Sequence, residues 1–247
     1  DIIGRNPVVV LSPDEQTITN GPPIKRRQFF DRVFSTTSYK YITALQKYNK
    51  TLKQRNATLL FQNNREQEVW IDALSEHGVR LWKLRTEQME KFKHTFSKIS
   101  RIFDRQINVE IKYPSNSQNK EKYSKKLFQN LKKDKEQKRT SMGPHLDNIV
   151  FNWFGKNTRD FCSQGENKLC LILLKLTELL FFIEETKKVP VFMMDDLFAN
   201  LDLEKSRQTV QTLETLNKKR TESFQTIITT TDILNLEKSG FVTKNIN

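Results

Sequence analysis

An α/β fold with a largely parallel sheet, interrupted by a long helical hairpin, is what this 247-residue sequence predicts. Short apolar runs with β-branched bias alternate with amphipathic stretches, the pattern of strands and helices layered on a parallel sheet. From about Phe29 to Phe103 the apolar spacing is helical almost throughout. Aromatic residues make up 10% of the chain, 17 of them Phe, which argues against general disorder.

Taken in order, Pro7-Val8-Val9-Val10-Leu11 suits a buried strand. In Ser12-Pro13-Asp14-Glu15, Ser12 suits the N-cap, Pro13 the first helical position, and Glu15 is placed to close a capping box. Gly21-Pro22-Pro23 makes a turn. Tyr41, Leu45, Tyr48, Leu52 and Leu59 then fall at helical spacing, and a second series runs from Trp70 through Leu81 and Phe92 to Phe103. With Asn63-Asn64 as the break, the two form an antiparallel hairpin, and His77-Gly78 kinks or divides the second helix.

Gln106 to Tyr113 alternates, with Ile107, Val109 and Ile111 on one face of a strand. Residues 120–139 hold nine Lys/Arg and three acids, with Leu127, Phe128 and Leu131 as sparse anchors. That stretch reads as a solvated helix face or as a phosphate contact. After Gly143-Pro144-His145, Ile149-Val150-Phe151 begins a strand, and Phe161 to Glu166 is a polar loop entering an apolar helix over 167–185. Val189 to Met194 is another buried strand, Asp202 caps a helix over 203–219, and Phe224 to Thr230 is a last strand before a helix from Asp232.

Composition excludes several classes. Cys162 and Cys170 make no disulfide framework and no metal spacing, so each reads as a small buried hydrophobe in a reducing interior. Leu169 to Ile183 is too short and, with Lys175 and Glu178, too charged to span a bilayer. A formal net charge of +13 favours an anionic partner, most often nucleic acid, although four Ala and seven Gly beside abundant Lys and Asn also fit an AT-rich coding bias.

The sharpest chemical signal is Val191-Phe192-Met193-Met194-Asp195-Asp196, a buried strand ending in two carboxylates. Open α/β sheets bind ligands at that edge, where one acid can hold Mg²⁺ and a second can orient water. Ser163-Gln164-Gly165-Glu166 opens the preceding helix, where backbone N–H groups favour anions; the plainer reading is a helix cap with a turn.

These pieces resemble the C-terminal half of an ABC-type ATPase head, most closely the RecF family of bacterial recombination and repair proteins. The likeness is carried by Arg26-Arg27 before Phe29-Phe30-Asp31, by Tyr48 to Asn56, and by Gly143-Pro144-His145. Ser163-Gln164-Gly165, Asp195-Asp196 with Leu201-Asp202, and Thr229-Thr230-Thr231-Asp232 complete it in family order. The fold it implies is the C-terminal part of an ABC-type P-loop ATPase head with an inserted antiparallel helical-hairpin domain. A head segment would span 1–30, the hairpin 31–104 and the C-terminal head lobe 105–247.

By that resemblance Ser163, Gln164, Gly165 and Glu166 form the signature loop that grips the γ-phosphate held by a partner protomer. Asp195 is the Walker B magnesium residue, Asp196 the general base, Leu201-Asp202 the D-loop and Thr231 the switch position. ATP and Mg²⁺ are the implied cofactors. The implied partners are an ATP-dependent homodimer, gapped or duplex DNA without sequence preference, and mediators such as RecR and RecO; no membrane is involved. Cytoplasmic, nucleoid-associated work in recombinase loading follows. Arg26, Arg27, Lys132, Lys133, Lys135 and Lys138 are the expected phosphate contacts.

The sequence departs from the family pattern at Leu146 and Asn148, where an Arg and an Asp are usual. It also holds no G-x-x-x-x-G-K-[ST], which its seven glycines cannot supply. With Asp1 in place of Met, a piece of a longer protein is expected, and negligible ATP hydrolysis by this piece alone. A chromosome-organising ABC head and a DNA-binding remnant without ATPase activity are the other readings; the hairpin is too short for the first. An ABC transporter subunit fits the hairpin and the charge poorly.

Overall fold

The computed structural model describes residues 7–60, 64–114, 119–195, 202–218, 223–230, 238 and 240. In chain order its regular elements are β1 (Val8–Leu11), α1 (Thr17–Asn20), α2 (Pro23–Thr37), α3 (Tyr39–Thr58), α4 (Asn64–Phe103), β2 (Val109–Lys112), α5 (Lys120–Gln129) and α6 (Leu131–Gln137). There follow β3 (Val150–Trp153), β4 (Lys156–Asn157), α7 (Thr158–Phe161), α8 (Gln164–Thr186), β5 (Val191–Asp195), α9 (Leu203–Lys218) and β6 (Thr226–Thr229). The chain forms two compact units, one of Asp1–Arg26, Lys91–Lys112 and Val150–Asn247, the other of Arg27–Glu90 and Tyr113–Ile149. They interleave along the sequence, whereas the expected division runs in series.

In the first unit, β1, β5 and β6 form a wholly parallel sheet with β5 in the centre. A second sheet, β2-β3-β4, is antiparallel, and Phe154-Gly155 joins its last two strands with both φ angles positive (46° and 81°). That two-residue turn follows the strand twist, and a Phe there is unusual. Helix α8 packs on β1 and α9, and is buried all round from Leu169 to Ile183. Its buried Lys175 is neutralised by Glu15 at 3.2 Å and Glu178 at 2.5 Å, as a buried ammonium requires.

Glu15 therefore does not cap. Residues Pro13–Gln16 form one 3₁₀ turn with Pro13 at its start and no side-chain bond at Ser12. The signature-like segment also differs from expectation: α8 begins at Gln164, so those residues form its first turn rather than a loop before it.

The second unit contains α3 and α4 as far as Glu90, which pair as a hairpin. Gln67 bonds Thr58 (2.9 Å), Gly78 abuts Tyr48, and Arg85 bonds the Tyr41 hydroxyl (3.0 Å), so α4 climbs as α3 descends. The helical stretch divides once more than expected, at Ser38, whose hydroxyl accepts from the Tyr41 amide and starts α3. Helix α4 is unbroken across Gly78. A Cβ there would stand 2.7 Å from the Tyr123 ring, so the glycine makes room for a neighbour instead of ending a helix. Tyr123 and Leu127 anchor α5, while Phe128 is exposed.

Candidate functional site

Ser163 sits at the N-cap of α8 in extended backbone (φ −61°, ψ 167°), and its Oγ accepts from the Glu166 amide. The Glu166 carboxylate accepts in return from the Ser163 amide (2.8 Å) and hydroxyl (2.9 Å), closing a capping box. Buried Asn167 donates to the carbonyls of Cys162 and Ser163, which fixes the entering chain. Ser163, Gln164 and Gly165 are exposed, and a Cβ on Gly165 would meet nothing within 4 Å. Nothing in the fold of the turn itself demands glycine.

Ser163, Gly165 and Glu166 line a cleft of about 440 Å³ together with Asp202, Lys205, Trp153 and Phe154. Asp202 caps α9, its carboxylate accepting from the Lys205 amide at 2.7 Å. The cleft thus joins the signature-like turn, the start of a second helix, a lysine and an exposed aromatic turn. Lys205 is paired with Asp104 of the same cleft at 3.7 Å, so the helix start itself is what favours an anion there. Gln164 and Asp195 are not among the residues lining it. Lys205, Trp153 and Phe154 carry no motif; the one sequence signal was the Phe-Gly pair at a hairpin turn.

Asp195 ends the central strand and is exposed at its C-terminal edge, accepting a hydrogen bond from the Thr229 hydroxyl across the register pair Asp195–Thr229. Asp196, Leu201 and Thr231 lie outside the described residues. The half-buried Cys162 thiol is pushed up by burial and by the Glu166 carboxylate, and burial raises Cys170 further, so neither is a thiolate near neutrality.

In the second unit, Lys132, Lys133 and Lys138 are exposed and Lys135 is half-buried. Arg27 of that unit donates to the Asp147 carbonyl at 2.8 Å, and in the first unit Arg26 is buried and donates to the Gly21 carbonyl. Both guanidinium groups hold the fold together.

A buried polar network in the second unit was not anticipated. Arg85 donates to Asp147 (2.6 Å), Asp31 (2.9 Å), the Tyr41 hydroxyl and the Pro144 carbonyl. Trp82 and Tyr113 also donate to Asp147. Deprotonation of Arg85 is driven well above its ordinary value by its acidic surroundings despite burial, and burial raises Tyr113 likewise. Tyr48 reaches His145 Nδ1 (2.6 Å), while Arg55 holds Asp134 and Thr140. The segments Tyr48 to Asn56 and Gly143 to His145 therefore meet each other. Leu146, one of the two departures, is exposed, and it lines a cleft of about 350 Å³ with Asn148, Trp82 and Lys126.

A parallel sheet whose central strand ends in an exposed acid, and a long capped helix with a signature-like first turn, define a class. The chain is the C-terminal part of an ABC-type ATPase head carrying a helical-hairpin domain. It is similar to the DNA replication and repair protein RecF of Clostridium novyi, 32% identical over 247 residues, covering 96% of this chain and 66% of that one. The RecF of Geotalea uraniireducens is 30% identical, covering 97% and 67%. A solved structure of the recombination mediator protein RecF-ATP in the RecFOR pathway superposes with a TM-score of 0.79 at 28% identity, over 94% of this chain and 64% of that chain. The chain belongs to the RecF family, and spans about two-thirds of the length of the curated relatives it matches. No family model matches it.

Proposed function

We propose that this chain is part of an ATP-dependent DNA-binding protein of recombinational repair and replication restart. It would act at single-strand gaps, aiding recombinase loading with mediators of the RecR and RecO kind in the bacterial cytoplasm. The observation that carries the reading is the exposed, capped Ser163-Gln164-Gly165-Glu166 turn sharing one cleft with Asp202. That arrangement supports a surface which closes on a nucleotide held by a second protomer. Ser163 and the free amides of the first turn of α8 take the γ-phosphate, Gly165 lets it approach the backbone, and Leu201-Asp202 cross the dimer interface.

Asp195 fits Mg²⁺: it is a hard oxygen ligand, oriented by Thr229, at the sheet edge where phosphates would arrive. Asp195 would hold the ion, which would supply charge neutralisation to the phosphates. Asp196 then positions and deprotonates the attacking water. The head takes in the unit of Asp1–Arg26, Lys91–Lys112 and Val150–Asn247, and the hairpin unit presents Lys132, Lys133 and Lys138 to DNA phosphates, with Lys135 beside them.

The test is ATP-dependent dimerisation, followed by sedimentation on the protein isolated from its source cells. Gly165→Ala has open space for its methyl and gains about 0.5–1 kcal/mol of helix propensity. It should nevertheless weaken ATP-driven dimerisation at least tenfold; a Gly165→Ala variant that dimerises as well as the wild type sinks the reading. The 247-residue chain alone should hydrolyse ATP negligibly, and turnover that Asp196→Asn abolishes would contradict that. DNA affinity should fall steeply with salt, less steeply after Lys132, Lys133 and Lys138 become Glu.

A further inference from the structure

Leu146 and Asn148, the two positions at which the sequence departs from its family pattern, are both exposed and share one pocket of about 350 Å³ in the hairpin unit. Its back wall is rigid. Trp82 and Tyr123 are buried, stand edge-on with ring centroids 4.6 Å apart, and donate to Asp147 and to the Met142 carbonyl. Pro114, Met142 and Leu146 add apolar surface. The Asp147 carboxylate beneath them is already neutralised by Arg85 at 2.6 Å, so the floor presents no free negative charge.

Three polar groups at this pocket are uncommitted. The Lys126 ammonium, the Ser141 hydroxyl and the Asn148 amide line it, and among the described residues none of them has a hydrogen-bond or ion-pair partner. Lys122, also exposed, precedes Lys126 by one turn of α5.

We infer that the pocket takes one unstacked nucleobase of a DNA single strand, with the adjoining phosphate at Lys126. A base has apolar faces for Leu146, Met142 and Pro114, and a donor–acceptor edge for the Asn148 amide and the Ser141 hydroxyl. Its phosphate supplies the negative charge that Lys126 lacks. Other guests use only part of this set. An apolar protein side chain would cover Asn148 and Ser141 without pairing them, which carries a desolvation cost. An acidic one would meet Lys126 and leave the apolar wall in water. Duplex DNA keeps its bases stacked and paired, so it reaches the lysines but not the pocket. The pocket thereby tells a gap from the duplex beside it. This assignment rests on the DNA-binding part of the function proposed above, and adds to it the place where a single strand is sensed.

The full 247-residue chain is titrated at equal salt with two fluorescent strands of about twelve nucleotides, one of mixed sequence and one abasic throughout. The two carry the same phosphates, so only base contacts separate them. The base-bearing strand should bind about tenfold tighter. In Leu146→Ala/Asn148→Ala, both at exposed positions, that preference should fall to about twofold or less, with the urea midpoint unchanged. Lys126→Gln should weaken both strands alike, lower the salt slope by about one and keep the preference. Photo-leucine at 146 should cross-link to the strand. Equal affinity for the two strands overturns the inference, and so does a preference that survives in the double variant, because the bases then bind elsewhere. A cross-link to a second copy of the chain instead of the strand gives the pocket to a protein segment and also overturns it. If neither strand binds at low salt, the DNA reading falls as well; binding without a base preference removes the pocket alone.

Discussion

The two units use equally conspicuous residues in opposite ways. In the hairpin unit, Tyr48, Arg55, Gly143 and His145 turn inward and bond one another's surroundings. In the sheet unit, Ser163, Gln164, Gly165, Asp195 and Asp202 stand exposed at the ends of helices and a strand. A motif residue that is turned into the fold and hydrogen-bonded there is building a scaffold. One left open at an element end is exposed to a ligand. The contrast gives architecture to the first set and leaves the second exposed, where the proposed function needs it.

The largest expected effect is in the scaffold. Arg85→Met leaves Asp31 and Asp147 without their shared cation and should lower unfolding free energy by about 3–5 kcal/mol in urea denaturation. A loss below about 1 kcal/mol would mean the network is not holding that unit. Next comes Gly143→Ala, at a φ of 142° and with its new Cβ within 2.4 Å of the Tyr123 hydroxyl and 2.5 Å of that of Tyr48. Strain and overpacking should together remove about 2–4 kcal/mol, measured by the same titration.

In the sheet unit the effects on stability are smaller. Ser163→Ala removes the α8 cap and should lower stability by about 1 kcal/mol, whereas Ser163→Thr should keep most of it. An equal loss in both would show that capping is not what Ser163 does for the fold. The smallest effect is a pH slope. Burial lowers the folded His145 pKa below that of the unfolded chain, so the folded ring stays neutral while the unfolded one gains a proton. Its contribution is whole above the unfolded value near about 6.5 and is lost as pH falls toward the folded one. His145→Asn should flatten the stability curve between about pH 7 and 5; an unchanged slope would remove His145 from the linkage.

The strands and the hairpin were legible because β-branched apolar runs and helical period are local properties, visible in Val8–Leu11 or Tyr41–Leu59. Partners far apart in sequence were not. Glu15 looks like a capping residue until Lys175, 160 positions on, claims its carboxylate. Asp134 disappears into a lysine-rich stretch read by its net charge, yet it is the buried acid that Arg55 and the Ser141 amide require. Arg26 and Arg27 read as phosphate contacts, and only tertiary structure shows their carbonyl partners. The candidate site was legible where its chemistry is local, as at Ser163 to Glu166 and at Asp202. Phe154 and Lys205 enter it only through folding.

The carboxylate of Glu166 already occupies the donors of Ser163. Under the proposed function, an oxyanion that uses Ser163 therefore does not fill a vacancy there; it evicts a resident anion. The energy gained is the difference between two negatively charged guests, smaller than the full attraction of either. A turn built in this way folds before its visitor comes and holds it only moderately. Such a socket favours exchange over permanent occupancy.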